Sequence, residues 1–228
     1  MKESHAREKN IVRWLTKIKC DATAIYLVGD IFDFWFEYKK VVPKGFVRIL
    51  GKLAEISDEG IKIHLFVGNH DLWAKDYLET EVGITIHHKS KIIQEQGKKI
   101  LISHGDDLGS GNYIYKYLRR IFTSKICQWI FARLHPNFAF SIAHAWSNKS
   151  RKRHETTFIS KEQERLFNYC QEQQQQNPVD YYIFGHRHIP LEIKIKDNAS
   201  YINLGDWINH YTYAVLEKGI VQLKKYKK

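Results

Sequence analysis

Four short apolar runs in this chain each end in a small residue and then, at once, in side chains that bind hard metal ions. AIYLVG precedes Asp30, IHLFVG precedes Asn69 and His70, KILIS precedes His104, and YYIFG precedes His186, Arg187 and His188. In an open α/β sheet, ligands gather in the crevice beyond the carboxyl ends of the strands. Donors that trail four strands can therefore meet in space although roughly 150 residues separate the first from the last. This repeated strand-then-ligand pattern predicts an α/β fold with one hard-metal site assembled from four strand ends.

The segments between the runs read as the connections such a fold needs. Residues 7–19 carry Ile11, Val12, Leu15 and Ile18 at helical spacing and lead into a strand at 24–28. A second helix is predicted from Pro43 to Ser57, with Asp58, Glu59 and Gly60 closing it before a strand at 61–67. This β-α-β alternation implies a largely parallel sheet. Residues 91–95 and 99–103 around Gln96, Gly97 and Lys98 read as a hairpin. Residues 113–147 read as two or three helices broken near Thr123 and Ser124 and at Pro136. A further helix is expected at 160–173, opened by a Ser160-x-x-Gln163 capping box. Strands are expected at 181–184, 191–196, 200–204, 211–217 and 220–226.

With 228 residues and 43% hydrophobic content, the chain supports one substantial core, and no stretch reads as a linker. The expectation is a single domain over 1–228 with a helical insertion at about 112–154. Cys20, Cys127 and Cys170 are odd in number and widely spaced, which argues against a disulfide framework and for a reducing, cytoplasmic setting. No export signal and no 18-residue apolar run is visible. The net charge of +11 is concentrated. From Leu108 to His154 there is no Asp or Glu, while nine Lys or Arg alternate with nine aromatics. That mixture suits an anionic membrane surface or an amphiphilic anionic ligand, and composition alone leaves a solvated basic face and a nucleic-acid patch open.

The donors at the strand ends are Asp, Asn and His, with no sulfur, which suits Mn, Fe(II) or Zn. Asp30 has two oxygens and can bridge two cations, and Gly29 lets the backbone come close. Asp71 stands where it can orient His70. Two such cations would clamp a phosphoryl group and acidify a water, so phosphate ester or anhydride hydrolysis follows. Alone, His104 in Ser-His-Gly reads more often as a turn or core histidine, and Gly-Asp-x-x-Asp as a loop cap. Gly-Asn-His-Asp and Gly-His-Arg-His, in order after apolar runs, do not.

Taken together, G-D-x-x-D, G-N-H-D, H-G-D and G-H-x-H resemble the calcineurin-like metallophosphoesterase superfamily over essentially the whole chain. The aromatic run Phe32 to Phe36, the basic insertion after His104 and Leu204-Gly205-Asp206-Trp207 are similar to its UDP-2,3-diacylglucosamine diphosphatase branch. The resemblance implies a layered α-β-β-α sandwich with a helical cap. It implies two divalent ions, Mn by preference, with Asp30 bridging them, Asn69, His104 and His186 completing one, and His188 serving the other. It also implies that His70 protonates the leaving group or stabilises the transition state, with Asp33 and Asp71 behind the ligands. The implied reaction is water attack on the pyrophosphate of a UDP-linked diacyl sugar lipid, giving UMP and lipid X in lipid A biosynthesis. The implied location is cytoplasmic, peripheral on the anionic inner face of the membrane. The insertion then has a purpose, as an apolar groove beside cations, and Ser147, Asn148 and Arg151 are the expected head-group contacts. No nucleic-acid partner is expected.

One element of the resemblance is lacking. The family opens with a strand ending in Asp-x-His that supplies the remaining ligands of the ion held by His188, and no such motif precedes Asp30. Glu3-Ser4-His5 has the spacing but reads as a solvent-facing loop. The expected consequences are a strand at 24–28 with an unpaired side, at most one firmly bound ion and impaired turnover. A start at an internal methionine and a decayed homologue both account for this, and the intact remaining motifs favour the first. Two other readings stand beside the leading one, a metallophosphoesterase for soluble nucleotides or phosphoproteins and a non-catalytic basic binding module.

Overall fold

The computed structural model describes residues 2–111, 113–151, 160–196 and 199–227, with the backbone alone for residues 2–4 and 144–151. Two sheets carry the molecule. In the first, β1 (Ala24–Leu27), β2 (Lys62–Phe66) and β3 (Ile84–His87) run parallel, with Leu27 opposite Leu65 and Leu65 opposite Ile86. In the second, the order is β4 (Lys91–Glu95), β5 (Lys98–Ser103), β6 (Tyr181–Phe184), β8 (Ser200–Leu204) and β7 (Pro190–Lys194). Its central strands β5, β6 and β8 are parallel, and its edge strands β4 and β7 are antiparallel. A hairpin of β9 (Thr212–Glu217) and β10 (Ile220–Lys225) completes the strands.

Side-chain alternation explains the layering, because successive residues of a strand face opposite sides. Ile25 and Leu27 of β1 pack with Trp14 and Leu15 of α1 (Lys2–Ile18) and with Ile49, Leu53 and Ile56 of α2 (Val47–Asp58). On the opposite side, Val28 and Phe66 pack against Ile100, Ile102, Ile183 and Ile202 of the second sheet. The far side of that sheet, with Tyr182, Phe184 and Tyr201, is covered by Leu166, Phe167 and Cys170 of α7 (Arg165–Gln176). This is the expected α-β-β-α sandwich. Full burial of each Leu or Ile in these layers contributes about 1.5–3 kcal/mol.

Among the described residues β1 pairs with β2 alone, and β9 with β10 alone. Between them lies a cavity of about 1680 Å³ lined by Trp14, Tyr26, Leu27, Ile100, Ile183 and Val215. The unpaired side expected of strand 24–28 is therefore present, and the cavity reaches Asp30 and His188.

Three boundaries differ from the sequence expectation. α2 begins at Val47 and not at Pro43, because Gly45 (φ 102°) and Phe46 (φ 57°) are left-handed. Its first N–H groups, those of Arg48 and Ile49, are taken by Glu8 of α1 at 3.0 and 3.3 Å, a tertiary cap invisible to local sequence. α7 starts at Arg165; Ser160 Oγ accepts from Gln163 N at 3.4 Å but caps only a turn. The segment Glu3-Ser4-His5 belongs to α1 and is not a loop, although His5 is exposed as expected. Two elements were not anticipated, the short α3 (Tyr77–Thr80) and β3.

The insertion forms α4 (Tyr113–Phe122), α5 (Lys125–Phe131) and α6 (Pro136–Arg151), broken where Thr123, Ser124 and Pro136 predict. Ser124 Oγ caps α5 by accepting from Cys127 N at 3.2 Å. Aromatic rings fasten these helices to the loops that follow β1 and β2. The Phe131 ring lies 4.8 Å from Phe36 and 4.7 Å from Trp73, and Trp73 Nε1 donates to the Phe122 carbonyl at 2.6 Å. The outer side stays uncovered, with Ile114 78% and Ile126 73% exposed.

Candidate metal centre

Strand register sets the site. With Leu27 opposite Leu65, the chain leaving β1 at Val28-Gly29-Asp30 runs beside the one leaving β2 toward Gly68. A side chain at Gly68 would collide with the Asp30 carboxylate, and one at Gly29 with the His104 ring, so both positions need glycine. In the second sheet Ser103 opposes Phe184, which places His104 beside Gly185, whose N–H reaches the His104 carbonyl at 3.2 Å. Asn203, fully buried on β8, donates its side-chain amide to the Gly185 carbonyl.

Asp30, His104 and His186 offer donor atoms that all lie within 4.8 Å of one another. His104 is buried, and its Nδ1 lies 2.9 Å from the Val28 carbonyl. A carbonyl only accepts, so Nδ1 carries the proton and Nε2 faces Asp30 Oδ2, 3.3 Å away. Burial pushes Asp30 up, but the charge and hydrogen bond of His104, followed by His70, outweigh it and hold the carboxyl well below its usual range. Burial likewise pushes His104 down, and Asp30 outweighs it, raising the imidazole to about 10. The Asn69 side-chain oxygen is buried with no hydrogen-bond partner. The carboxylate and two imidazoles are a donor set that fits one divalent ion, and the unpartnered amide oxygen belongs to the residue just before His70, whose N–H meets Asp30.

Behind these groups, Asp71 is fully buried and accepts the N–H of Ile31 at 2.9 Å and that of Gly68, tying the two ligand loops together. Burial, then the Asp30 charge, raises its carboxyl to about 6. His70 Nδ1 donates to the Asp33 carbonyl at 2.8 Å, and His70 N donates to Asp30 Oδ1 at 2.9 Å. Asp33 thus meets His70 through its backbone. His188 lines the same cavity, with burial lowering its imidazole, and its Nδ1 stands 3.9 Å from Asp206 Oδ2. Ser147, Asn148 and Arg151 fall in the last turns of α6, where the side chains lie outside the described residues.

Sequence reasoning passed over several groups that hold the site. Asp206 accepts three backbone N–H groups, from Ile208, Asn209 and His210. Burial pushes its carboxyl up, yet these donors prevail and it sits below the usual range. Asp106, 1% exposed, takes the Tyr115 hydroxyl and Arg119 Nε at 3.0 Å, pinning α4 to the turn after His104. Arg187 turns inward to Glu164 at 3.1 Å. The Asp after His-Gly and the Asp after Leu-Gly were visible as letters, but the loops that aim them were not.

Comparisons agree with the geometry. The UDP-2,3-diacylglucosamine hydrolase of Porphyromonas gingivalis is 39% identical over 223 residues, covering 91% of this chain and 85% of that protein. The protein of the same name from Histophilus somni strain 129Pt is 27% identical over 201 residues, covering 86% and 83%. A model of the calcineurin-like phosphoesterases matches residues 4–190, a span that contains the converging Asp30, His104 and His186, and the chain is accordingly a hydrolase that belongs to that family.

Proposed function

We propose that this chain hydrolyses the pyrophosphate of UDP-2,3-diacylglucosamine, water adding across the phosphoanhydride to release UMP and lipid X. The observation that carries the reading is the convergence of Asp30, His104 and His186 from three strand ends beside an acid-free, aromatic, basic insertion. Asp30, Asn69, His104 and His186 would hold one divalent ion firmly, Mn suiting the oxygen and imidazole donors, and His188 would serve a second, weaker one. When bound, such ions neutralise charge on the phosphoryl group and make water a nucleophile at neutral pH.

The chain's own residues do the rest. His70 keeps its Nδ1 proton on the Asp33 carbonyl, so Nε2 is the nitrogen that protonates the departing phosphate oxygen or steadies the transition state. Asp71 holds both ligand loops in place through two backbone N–H groups. Residues 112–154 act as a lipid-binding cap on a single catalytic domain, Ser147, Asn148 and Arg151 contacting the head group. The exposed Tyr113, Tyr117 and Trp129, set among Lys116, Arg120 and Lys125, favour a peripheral seat on the anionic inner face of the cytoplasmic membrane. No helix among the described residues is long and apolar enough to cross a membrane.

The test measures, in Mn²⁺, UMP release from the acylated UDP sugar and from UDP-N-acetylglucosamine, and p-nitrophenolate release from p-nitrophenyl phosphate. Expected is turnover of the acylated substrate alone, lost with chelator and with Asp30→Asn. Equal turnover of the soluble compounds would favour the soluble-nucleotide reading instead.

A further inference from the structure

Among the described residues none of the ten in α4 is buried, and its large apolar side chains Tyr113, Ile114 and Tyr117 are exposed. A helix whose apolar side points outward has no core of its own to hold it. Its attachment is polar instead. Asp106, buried in the turn after His104, receives the Tyr115 hydroxyl and Arg119 Nε on one oxygen, Oδ2, the second bond at 3.0 Å. Arg119 Nη1 lies 3.0 Å from Asp107 Oδ2, so one guanidinium grips two neighbouring carboxylates. Tyr115 and Arg119 are four residues apart and therefore share one side of the helix. Lys116 Nζ, next along, donates to the Gly109 carbonyl. Burial, then the Asp106 charge, pushes the Tyr115 phenol up, so its hydroxyl stays a donor. At the far end of the helix the Phe122 carbonyl accepts from Trp73 Nε1.

The turn that receives this clamp is itself pinned. His104 Nδ1 is tied to the Val28 carbonyl at 2.9 Å, and the His104 carbonyl accepts Gly185 N at 3.2 Å. One and two residues on, Arg165 Nη2 of α7 donates to the Gly105 and Asp106 carbonyls at 3.3 Å each. A side chain at Gly109 would collide with Arg165, so the turn lies close against α7. Replacing a buried ion pair by apolar groups is often neutral or stabilising, so stability alone gives little reason for this cluster. Direction gives one. An arginine fork bonded to fixed carboxylates sets the rotation and height of a helix, which sliding apolar contact does not.

We propose that Tyr115 and Arg119 are positioning residues that, through Asp106, index the cap helix α4 to the turn carrying His104. They keep the outward apolar side of α4 in register with the metal centre, so that an acylated substrate meets both at once. The proposal rests on the insertion being the cap of that substrate.

The experiment compares wild type with Arg119→Gln and with Asp106→Asn combined with Arg119→Met, which removes both charges of the buried pair and guards against misfolding. Hydrogen exchange of the metal-free proteins reads the clamp without turnover. The amides of Tyr117 to Phe122, which bond within the helix, should exchange at least tenfold faster in both variants, and those of β5 and β6 at the wild-type rate. In Mn²⁺ the KM for the acylated UDP sugar should rise fivefold or more while kcat stays within twofold, because the cap contributes binding and touches no reacting atom. Unchanged exchange in α4 of both folded variants, exchange raised equally in β5 and β6, or a fall in kcat with KM unchanged each overturns the assignment. Should the wild type leave the acylated sugar uncleaved, the substrate reading falls, and exchange in α4 still decides the clamp.

Discussion

Truncating Arg187 tests how the ligand loop at His186 and His188 is anchored to the core. The residue sits between two ligand-type histidines, yet its guanidinium points inward, with Nε 3.1 Å from Glu164 Oε2. The Glu164 side chain is 2% exposed, and its other oxygen receives the hydroxyl of fully buried Tyr201 at 3.3 Å. In Arg187→Ala that carboxylate keeps one neutral donor and loses its hydrogen-bonded counter-charge, with the Arg165 charge left to act on it at longer range. Breaking a buried pair by removing one partner costs about 3–5 kcal/mol, because an uncompensated charge stays behind. For a chain of this size each kcal/mol lowers the melting temperature by about 2–4 °C, so a fall of roughly 6–20 °C is expected. The assay is thermal and urea unfolding of chelator-treated protein, so that lost metal cannot mimic lost stability. Arg187→Met with Glu164→Leu removes both charges and should recover most of the loss. A single variant within about 1 kcal/mol of wild type, or a double variant as unstable as the two singles summed, would refute the reasoning.

Three further outcomes follow from the same geometry. Asn69→Ala removes a buried oxygen that has no hydrogen-bond partner, so the metal-free protein should lose little or no stability while calorimetry shows weaker binding of the first ion; a stability loss above about 1 kcal/mol would mean the amide has a structural role. His64 Nδ1 and His87 Nε2 lie 3.1 Å apart, and both imidazoles are lowered, by burial first and then by Lys91. The unfolded chain then takes up protons before the folded one, so stability is lost as pH falls through the ordinary histidine value of about 6.5, and a His64→Gln, His87→Gln double variant should flatten that limb in urea melts; an unchanged slope would refute it. On the insertion, Ile114→Glu with Ile126→Glu adds charge to side chains 78% and 73% exposed, so stability should hold while co-sedimentation with anionic vesicles falls, and unchanged sedimentation would remove the membrane seat.

What the sequence disclosed was whatever depends on residues close together along the chain. The apolar runs ending at Gly29, Gly68, Ser103 and Gly185 are local signals, and they located four strands and the candidate donors beyond them, while the order of the layers came from the family resemblance. The breaks in the insertion were equally local, since Ser124 is a helix cap and Pro136 a first-turn residue. The hidden features all depend on distant partners. Glu8 caps a helix about 40 residues away, so the start of α2 was misplaced. The short β3 is a strand because Ile63 and Leu65 pair with Ile84 and Ile86, and four residues carry too little pattern to declare it. Asp206 and His210 look like ordinary loop residues until three backbone hydrogen bonds fold His210 back onto Asp206, whose carboxylate faces His188.

The backbone explains why such support is needed at the strand ends. Asp30 (φ 53°), His186 (φ 64°) and His188 (φ 56°) are left-handed, a conformation that costs a residue with a side chain about 1–2 kcal/mol. Glycine would relieve that strain but bring no donor. Each strained residue turns the chain out of the line of its strand, and Asp30 and His186 thereby meet at a common centre with His104, where ordinary extended residues would continue along the strand. The strain persists because the neighbours leave no alternative: Asp71 binds the N–H groups on either side of the first crossing, Asn203 holds the Gly185 carbonyl, and Glu164 holds the residue between the two histidines. Local preference and fold disagree at these three positions alone among the proposed metal donors, and strain that surrounding contacts enforce is the mark of a site selected for chemistry over stability.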